Sequence, residues 1–249
     1  MKISVITATY NSGQFLESAI ESVAEQSYND IEYIIVDGGS TDNTLQIIKD
    51  HKSVIYKYIS EKDEGIYFAL NKGIKHATGE IICFLHSDDK FASPDVLQTV
   101  ADCFLRTDAD VVYGDLIYNS RERENKLIRY WKAGEFKKHS MFFGWMPPHT
   151  ATFIKSKIYS QIGLFNTDLK ISADYELILR IFSIIDLKVD YIPQLMIKMR
   201  VGGISNGSIS DIIQKSREDY LGLKLNKKPF PAISLVFKNI RKITQLINF

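Results

Sequence analysis

The sequence predicts an α/β protein built on a doubly wound, mostly parallel β-sheet. From residue 3 onward, short apolar runs alternate with amphipathic segments at helical spacing, and each run hands over to a polar or glycine-containing turn. The chain has 249 residues of which 45% are apolar, enough to bury one large core or two small ones.

Taken in order, "ISVITAT" reads as a buried strand and "NSG" as the turn that follows. "QFLESAIESVAEQ" then puts Phe15, Leu16, Ala19, Ile20 and Val23 on one helical face. "IEYIIV" is a strand, "TLQIIKDH" a helix, "VIYKYI" a strand, "IYFALNKGIKHA" a helix and "IICFL" a strand. A sheet wound this way presents its ligands at the carboxyl ends of the strands. The helix "PDVLQTVADCFLR" and the strand "DVVYG" follow, and then the regularity fades. "DLIYNSRERENKLIRYW" reads as a hairpin with a charged turn, and "FKKHSMFFGWMPPH" is aromatic, basic and broken by proline. Beyond lie a strand "TATFI", a helix from about Asp174 to Ile185, and two strands, "KVDYI" and "LMIKMRV". This second half is α+β material expected on the same sheet.

A net charge of +1 makes no demand for nucleic acid or another polyanion. Cys83 and Cys103 sit in apolar segments without metal or C-x-x-C spacing and read as reduced core residues. The apolar start of "MKISVITATY" is too short and too β-branched for a signal peptide, and no run reaches the roughly 18 to 20 residues that span a bilayer. A cytoplasmic location follows as an expectation. From Leu221 the tail carries Lys224, Lys227, Lys228, Lys238, Arg241 and Lys242 and no acid, interleaved with Phe230, Leu235, Val236, Phe237, Ile240 and Ile243. Such a basic amphipathic helix either lies on an anionic membrane surface, at the inner face of the plasma membrane, or packs on the domain with its lysines in water.

The chemistry starts from an exclusion. Neither a P-loop nor a G-x-G-x-x-G turn follows the first strand. Acids follow the next three strands instead: Asp37 in "VDGGSTDNT", Asp63 and Glu64 in "SEKDEGIYFALNKG", and Asp88 and Asp89 in "IICFLHSDDK". Each has an ordinary reading as a turn or helix-cap residue. Gathered on one edge of a sheet they would repel one another unless a cation is shared, and hard oxygen ligands suit Mg²⁺ or Mn²⁺ completed by substrate phosphates.

Together "SVITATYN", "VDGGSTDNT", "DEGIYFALNKG", "FLHSDD" and "SADYEL" resemble the family 2 glycosyltransferases of GT-A fold, in particular bacterial members that build surface polysaccharides. The resemblance covers roughly residues 1 to 205 and implies a nucleotide-binding half over 1–115, an acceptor-binding half over 116–220 and a separate tail over 221–249. It implies that Thr7, Ala8, Thr9, Tyr10, Asn11 and Asp37 form the uracil and ribose pocket of a nucleotide-diphosphate sugar, with Asp63 nearby and Asn71 also on the donor. The D-x-D signature falls on His86, Ser87 and Asp88, so that Asp88 holds the divalent metal and Asp174 stands at the catalytic base. An inverting transfer needs both: charge neutralised on the leaving diphosphate, and a carboxylate on the opposite face of the sugar to take the hydroxyl proton. Further on, Asp115, Trp145, His149 and Tyr175 are expected at the acceptor or sugar pocket, with Phe142, Phe143 and Trp145 either stacking on sugars or closing the core. The glycine-rich loop 200–208 is expected to order over bound donor, bringing Arg200 to the diphosphate.

Two positions depart from the family pattern. His86 replaces the first acid of D-x-D, and Phe68 stands where relatives carry an acid. They motivate a competing reading, a catalytically silent nucleotide-sugar-binding subunit, against which Asp37, Asp88 and Asp174 argue. The favoured expectation is a UDP-sugar donor and a saccharide acceptor on a polyprenyl lipid, in O-antigen, capsule or exopolysaccharide assembly. The donor sugar, the acceptor hydroxyl and whether the chain forms a homodimer are not readable.

Overall fold

The computed structural model describes residues 1–120, 126–201 and 209–247, with side chains for all of these except Ile209 and those beyond Arg241. In chain order the elements are β1 (Ile3–Thr9), α1 (Leu16–Ala24), β2 (Ile31–Asp37), α2 (Thr44–Asp50), β3 (Lys57–Ser60), α3 (Ile66–His76), β4 (Ile81–Phe84), β5 (Lys90–Phe91), α4 (Val96–Thr107), β6 (Val111–Asn119), β7 (Leu127–Trp131), β8 (Thr152–Lys155), α5 (Ser156–Ile162), α6 (Ala173–Ile181), β9 (Val189–Arg200), α7 (Ile209–Leu225) and α8 (Pro231–Ile247). Two 3-10 turns, Lys138–Phe143 and His149–Ala151, precede β8.

The strands form one sheet in the order β3-β2-β1-β4-β8-β6-β9-β5, with β7 paired to β6. β3, β2, β1 and β4 are parallel, so the segments that leave their carboxyl ends emerge on one edge. β8 runs antiparallel to both β4 and β6. Side chains alternate across the pleat and fill a core on each face. Ile3, Val5, Tyr33 and Ile35 meet Leu16 and Ile20 of α1 and Val100 of α4, whereas Ile6, Ile34 and Val36 meet Leu70 of α3 and Ile178 of α6.

The structure corrects three readings and adds one element. The segments "KVDYI" and "LMIKMRV" are one strand, β9, which passes through Pro193 at a bulge where Tyr113 and Asp115 of β6 face Tyr191 and Leu195. A proline has no N–H to give a ladder, and the register shift accommodates it. The edge strand β3 begins at Lys57 rather than Val54, after the exposed Tyr56. α6 ends at Ile181, because Ser183 and Ile184 bond back three residues to Arg180 and Ile181 and tighten the last turn. Finally β5, two residues long, pairs antiparallel with β9 through Lys90–Lys198 and Phe91–Ile197. That pairing pins the loop carrying His86 to Asp89.

The boundary expected at residue 221 falls inside α7, and α8 packs against the body of the fold. Lys238 of α8 is 6% exposed and its Nζ lies 2.7 Å from Asp219 of α7, which is 2% exposed. The lysine therefore points inward, not into water. Gly144 makes this docking feasible: it has φ +67, and a Cβ there would lie 2.2 Å from the Lys238 backbone nitrogen. The other side of α8 is inverted relative to an ordinary surface helix. Ser234 and Lys238 face in, while Ile233, Val236, Phe237 and Ile240 are exposed.

Candidate active site

The site assembles at the carboxyl edge of the parallel strands. The turn after β1 is held by the turn after β2. Asn11, at φ 47, accepts from the Thr41 amide at 2.9 Å, and the Ser12 amide donates to Thr44 Oγ1 at 2.9 Å. Asp37 is fully buried and accepts from the Gly39 and Ser40 amides, the Ser40 hydroxyl and the Ser60 hydroxyl. It shapes the turn, whereas Tyr10 is 63% exposed and opens outward. Thr7 is buried, donating to the Leu85 carbonyl at 2.6 Å, and Ala8 and Thr9 are buried beside it. Ser12 and Ser87 hydroxyls meet at 2.9 Å, which ties the first turn to the His86–Asp89 loop.

In that loop the two aspartates part company. Asp88 is partly exposed; Asp89 is 1% exposed, and neither of its carboxylate oxygens finds a hydrogen-bond partner among the described residues. Burial, reinforced by Asp88 and opposed by Arg200, pushes Asp89 well above the usual carboxylate range. Arg200, at the end of β9, reaches the Asp88 carbonyl at 3.4 Å and Ser18 Oγ at 3.3 Å, with its guanidinium 5.0 Å from the Phe15 ring centroid.

Asp174 stands in the first turn of α6, its side chain 28% exposed. The Tyr67 hydroxyl, from α3, lies 2.7 Å from the Ile171 carbonyl and 3.2 Å from Asp174 Oδ1. His149 Nδ1 lies 3.5 Å from Asp174 Oδ2, and the His149 ring sits 5.0 Å from that of His86. Burial lowers His86, opposed by Asp88 and by Asp174, so this imidazole lies within the field of both carboxylates. His86, His149 and Asp174 thus follow one another in contact, with Asp88 two residues beyond His86 in the loop. Burial holds His149 down to about 4 against the pull of Asp174, so its ring is neutral at pH 7. Burial would raise Asp174, but Lys215, Lys238 and the Tyr175 amide, joined by His149 once acid protonates its ring, hold it below the usual range. The Asp174 carboxylate is therefore ionised at pH 7 and partly exposed.

The loop that presents Asp174 is clamped from α7. Glu218 accepts from the amides of Lys170, Ile171 and Ser172 at 3.2, 2.8 and 3.0 Å, and from Gln214. Lys238 Nζ lies 3.3 Å from the centroid of Tyr175, the residue after Asp174.

Several expected site residues lie elsewhere. Asp115 is 2% exposed and binds the Tyr130 and Tyr191 hydroxyls at 2.8 Å and the Ala133 amide at 2.9 Å, tying β6 to β7 and β9. Its carboxylate is engaged internally by these three bonds. Trp145 is buried among Tyr113, Phe136 and Phe182 and donates to the Ala133 carbonyl, so it closes the core. Asn71 engages the backbone of Phe165 with both amide atoms, at 3.0 and 2.9 Å, and so clamps α3 to the Phe165 segment. Tyr175 is buried beneath Lys238. Asp63 pairs with Lys72 at 2.5 Å. Of the glycine-rich loop, residues 202–208 lie outside the described residues. Tyr67, Glu218 and the burial of Asp89 were not readable; only Tyr67 carried a signal, its place inside the "DEGIYFALNKG" motif.

The site thus sets a partly exposed carboxylate and a loop of acids at the carboxyl edge of a parallel sheet. Residues 4–162 match the family described as Glycosyl transferase family 2, and the chain belongs to that family. It is a glycosyltransferase of α/β fold. It is 32% identical over 212 residues to a PGL/p-HBAD biosynthesis glycosyltransferase of Mycobacterium bovis, covering 82% of this chain and 78% of that one. A further relative, an uncharacterized glycosyltransferase of Mycobacterium tuberculosis, is 34% identical over 180 residues, 72% of this chain and 68% of that one. Among solved structures, S. aureus TarS 1-349 in complex with UDP-GlcNAc superposes with TM-score 0.72 at 19% identity, over 100% of this chain and 74% of that one. The chain spans 44% of the chain in a further crystal structure of S. aureus TarS. The mannosyltransferase PcManGT from Pyrobaculum calidifontis, in complex with GDP-Man and Mn²⁺, superposes with TM-score 0.68 at 17% identity, over 96% of this chain and 68% of that one.

Proposed function

We propose that the chain is an inverting transferase that moves a sugar from a nucleotide-diphosphate donor, a UDP-sugar, to a saccharide on a polyprenyl lipid, in assembly of an O-antigen, capsule or exopolysaccharide. The observation that carries this reading is Asp174: an ionised, partly exposed carboxylate held by Tyr67 and separated from Asp88 by the His86–His149 pair. The acceptor hydroxyl gives its proton to Asp174 as it attacks the anomeric carbon from the face opposite the nucleotide. His149, neutral beside the carboxylate, keeps bulk water from that side without neutralising the base.

The residues present fit a divalent ion. Among the described residues no three His, Cys, Asp or Glu converge to form a complete cage. Mg²⁺ and Mn²⁺ at phosphate sites take one or two carboxylates and complete their shell with water and substrate oxygens, and the partly exposed Asp88 offers such a ligand. When bound, the ion supplies charge neutralisation to the departing diphosphate. Arg200 braces the loop that carries Asp88.

A thermal-shift screen of nucleotide sugars with and without Mn²⁺ tests the donor reading, since a ligand that binds the folded state raises its Tm by mass action. A UDP-sugar should raise Tm with Mn²⁺, and Asp88→Asn should lose the Mn²⁺-dependent part; no shift with any nucleotide sugar rejects it.

The membrane reading rests on the apolar residues that α7 and α8 turn outward, Ile213, Leu221, Ile233, Val236 and Ile240, beside Arg217, Lys224 and Lys227. No helix among the described residues is long and apolar enough to cross a membrane. The protein should float with phosphatidylglycerol vesicles, and Val236→Gln with Ile240→Gln should release it. Wild-type protein that stays in the aqueous fraction overturns this part.

A further inference from the structure

Where α8 docks on β7 and the turn around Gly144, a cavity of about 40 Å³ opens, lined by Arg129, Lys132, Lys238 and Arg241 together with Trp131 and Met146. Among the described residues no carboxylate lines it; Asp219 balances Lys238 from behind. Arg129 is held in place by stacking, 4.9 Å from the Tyr118 ring centroid and 5.1 Å from that of Trp131. Arg241 is fixed by its Nε bond to the Phe143 carbonyl at 2.8 Å. Cations gathered in this way, with planar guanidinium forks among them, recognise phosphate oxygens. At about 10 to 15 Å³ for each water-sized group, the volume suits the oxygens of one phosphoryl group.

The cavity's position gives the phosphate a source. Lys238 lines the cavity and also covers Tyr175, next to Asp174, so a single side chain links the cavity to the residue beside the proposed base. The same helix turns Ile233, Val236 and Ile240 outward. We propose that this cavity binds one phosphoryl group of the diphosphate of the lipid carrier to which the acceptor saccharide is attached. The inference rests on the lipid-linked acceptor reading and adds the subsite that anchors it: prenyl chain along the outer face of α8, one phosphoryl group of the diphosphate between α8 and β7, sugar toward Asp174.

The test is calorimetric titration of the full chain with farnesyl diphosphate, a short prenyl diphosphate, in EDTA and with saturating UDP to fill the donor's own diphosphate site. The wild type should bind it, and farnesol, the same chain without phosphate, should bind at least tenfold more weakly. Lys132→Gln with Arg241→Gln, both at exposed positions, should weaken farnesyl diphosphate at least tenfold while leaving the melting temperature and donor hydrolysis unchanged. The proposal is overturned if the wild type does not bind, if farnesol binds equally well, or if the double variant binds normally. It is also overturned if the double variant loses only its attachment to phosphatidylglycerol vesicles, because the cations then read the membrane surface. Failure of the donor reading is a separate result: UDP itself would not bind, and farnesyl diphosphate titrated without it would still report on the cavity.

Discussion

Asp174→Asn is expected to cut sugar transfer by on the order of 10³ while donor affinity stays within about twofold, because a general base contributes only once the acceptor hydroxyl is losing its proton. Asparagine keeps the shape and accepts from the Tyr67 hydroxyl as the carboxylate does, so a fold defect would not explain the loss. The wild-type pH profile supplies a second reading. The folded-state carboxyl lies below its usual value of about 3.8, so the base stays ionised as pH falls and is protonated only below that range. Activity should therefore show no acidic limb from this residue between about pH 7 and 4, and the stability that Asp174 contributes is likewise lost only as pH falls through its depressed value. Asp174→Asn protein with more than about a tenth of wild-type transfer would remove Asp174 from the chemistry.

Lys238→Met is expected to destabilise the fold by about 3–5 kcal/mol, the cost of leaving one partner of a buried ion pair uncompensated. Asp219 is 2% exposed, and its Oδ1 already lacks a hydrogen-bond partner among the described residues. Without Lys238 the second oxygen loses its 2.7 Å contact as well, and Tyr175 loses the cation over its ring. Adding Asp219→Leu removes the stranded charge and should restore most of the loss. Urea denaturation of the wild type, single variant and double variant measures both steps. A lysine free in water would cost almost nothing to replace, so a single variant within about 1 kcal/mol of wild type would contradict the docked position of α8.

The first four βα units were legible because their signals are local: apolar runs with period two or helical spacing, separated by turn residues. The loop from His86 to Asp89 and the helix start at Asp174 were legible as motifs. Asp115, Asn71, Trp145 and Tyr175 have packing or hydrogen-bonding partners that the sequence did not show, for a common reason. Each is a polar or aromatic residue in a promising neighbourhood whose partner is remote in sequence: Tyr191 for Asp115, the Phe165 backbone for Asn71, Phe182 for Trp145 and Lys238 for Tyr175. A side chain already satisfied by such a partner has little left for a ligand.

By itself the sequence determined the layered α/β architecture, the edge of the sheet at which acids collect and the basic, amphipathic character of the final helix, all of which follow from spacing along the chain. Tertiary structure alone decided which acids remain available. Packing buried Asp37 and Asp115 in hydrogen bonds, left Asp88 and Asp174 open across a pair of imidazoles, and turned Lys238 inward to Asp219. Whether a charged group is free or spent depends on desolvation and on partners brought together from distant segments, and no local pattern encodes either.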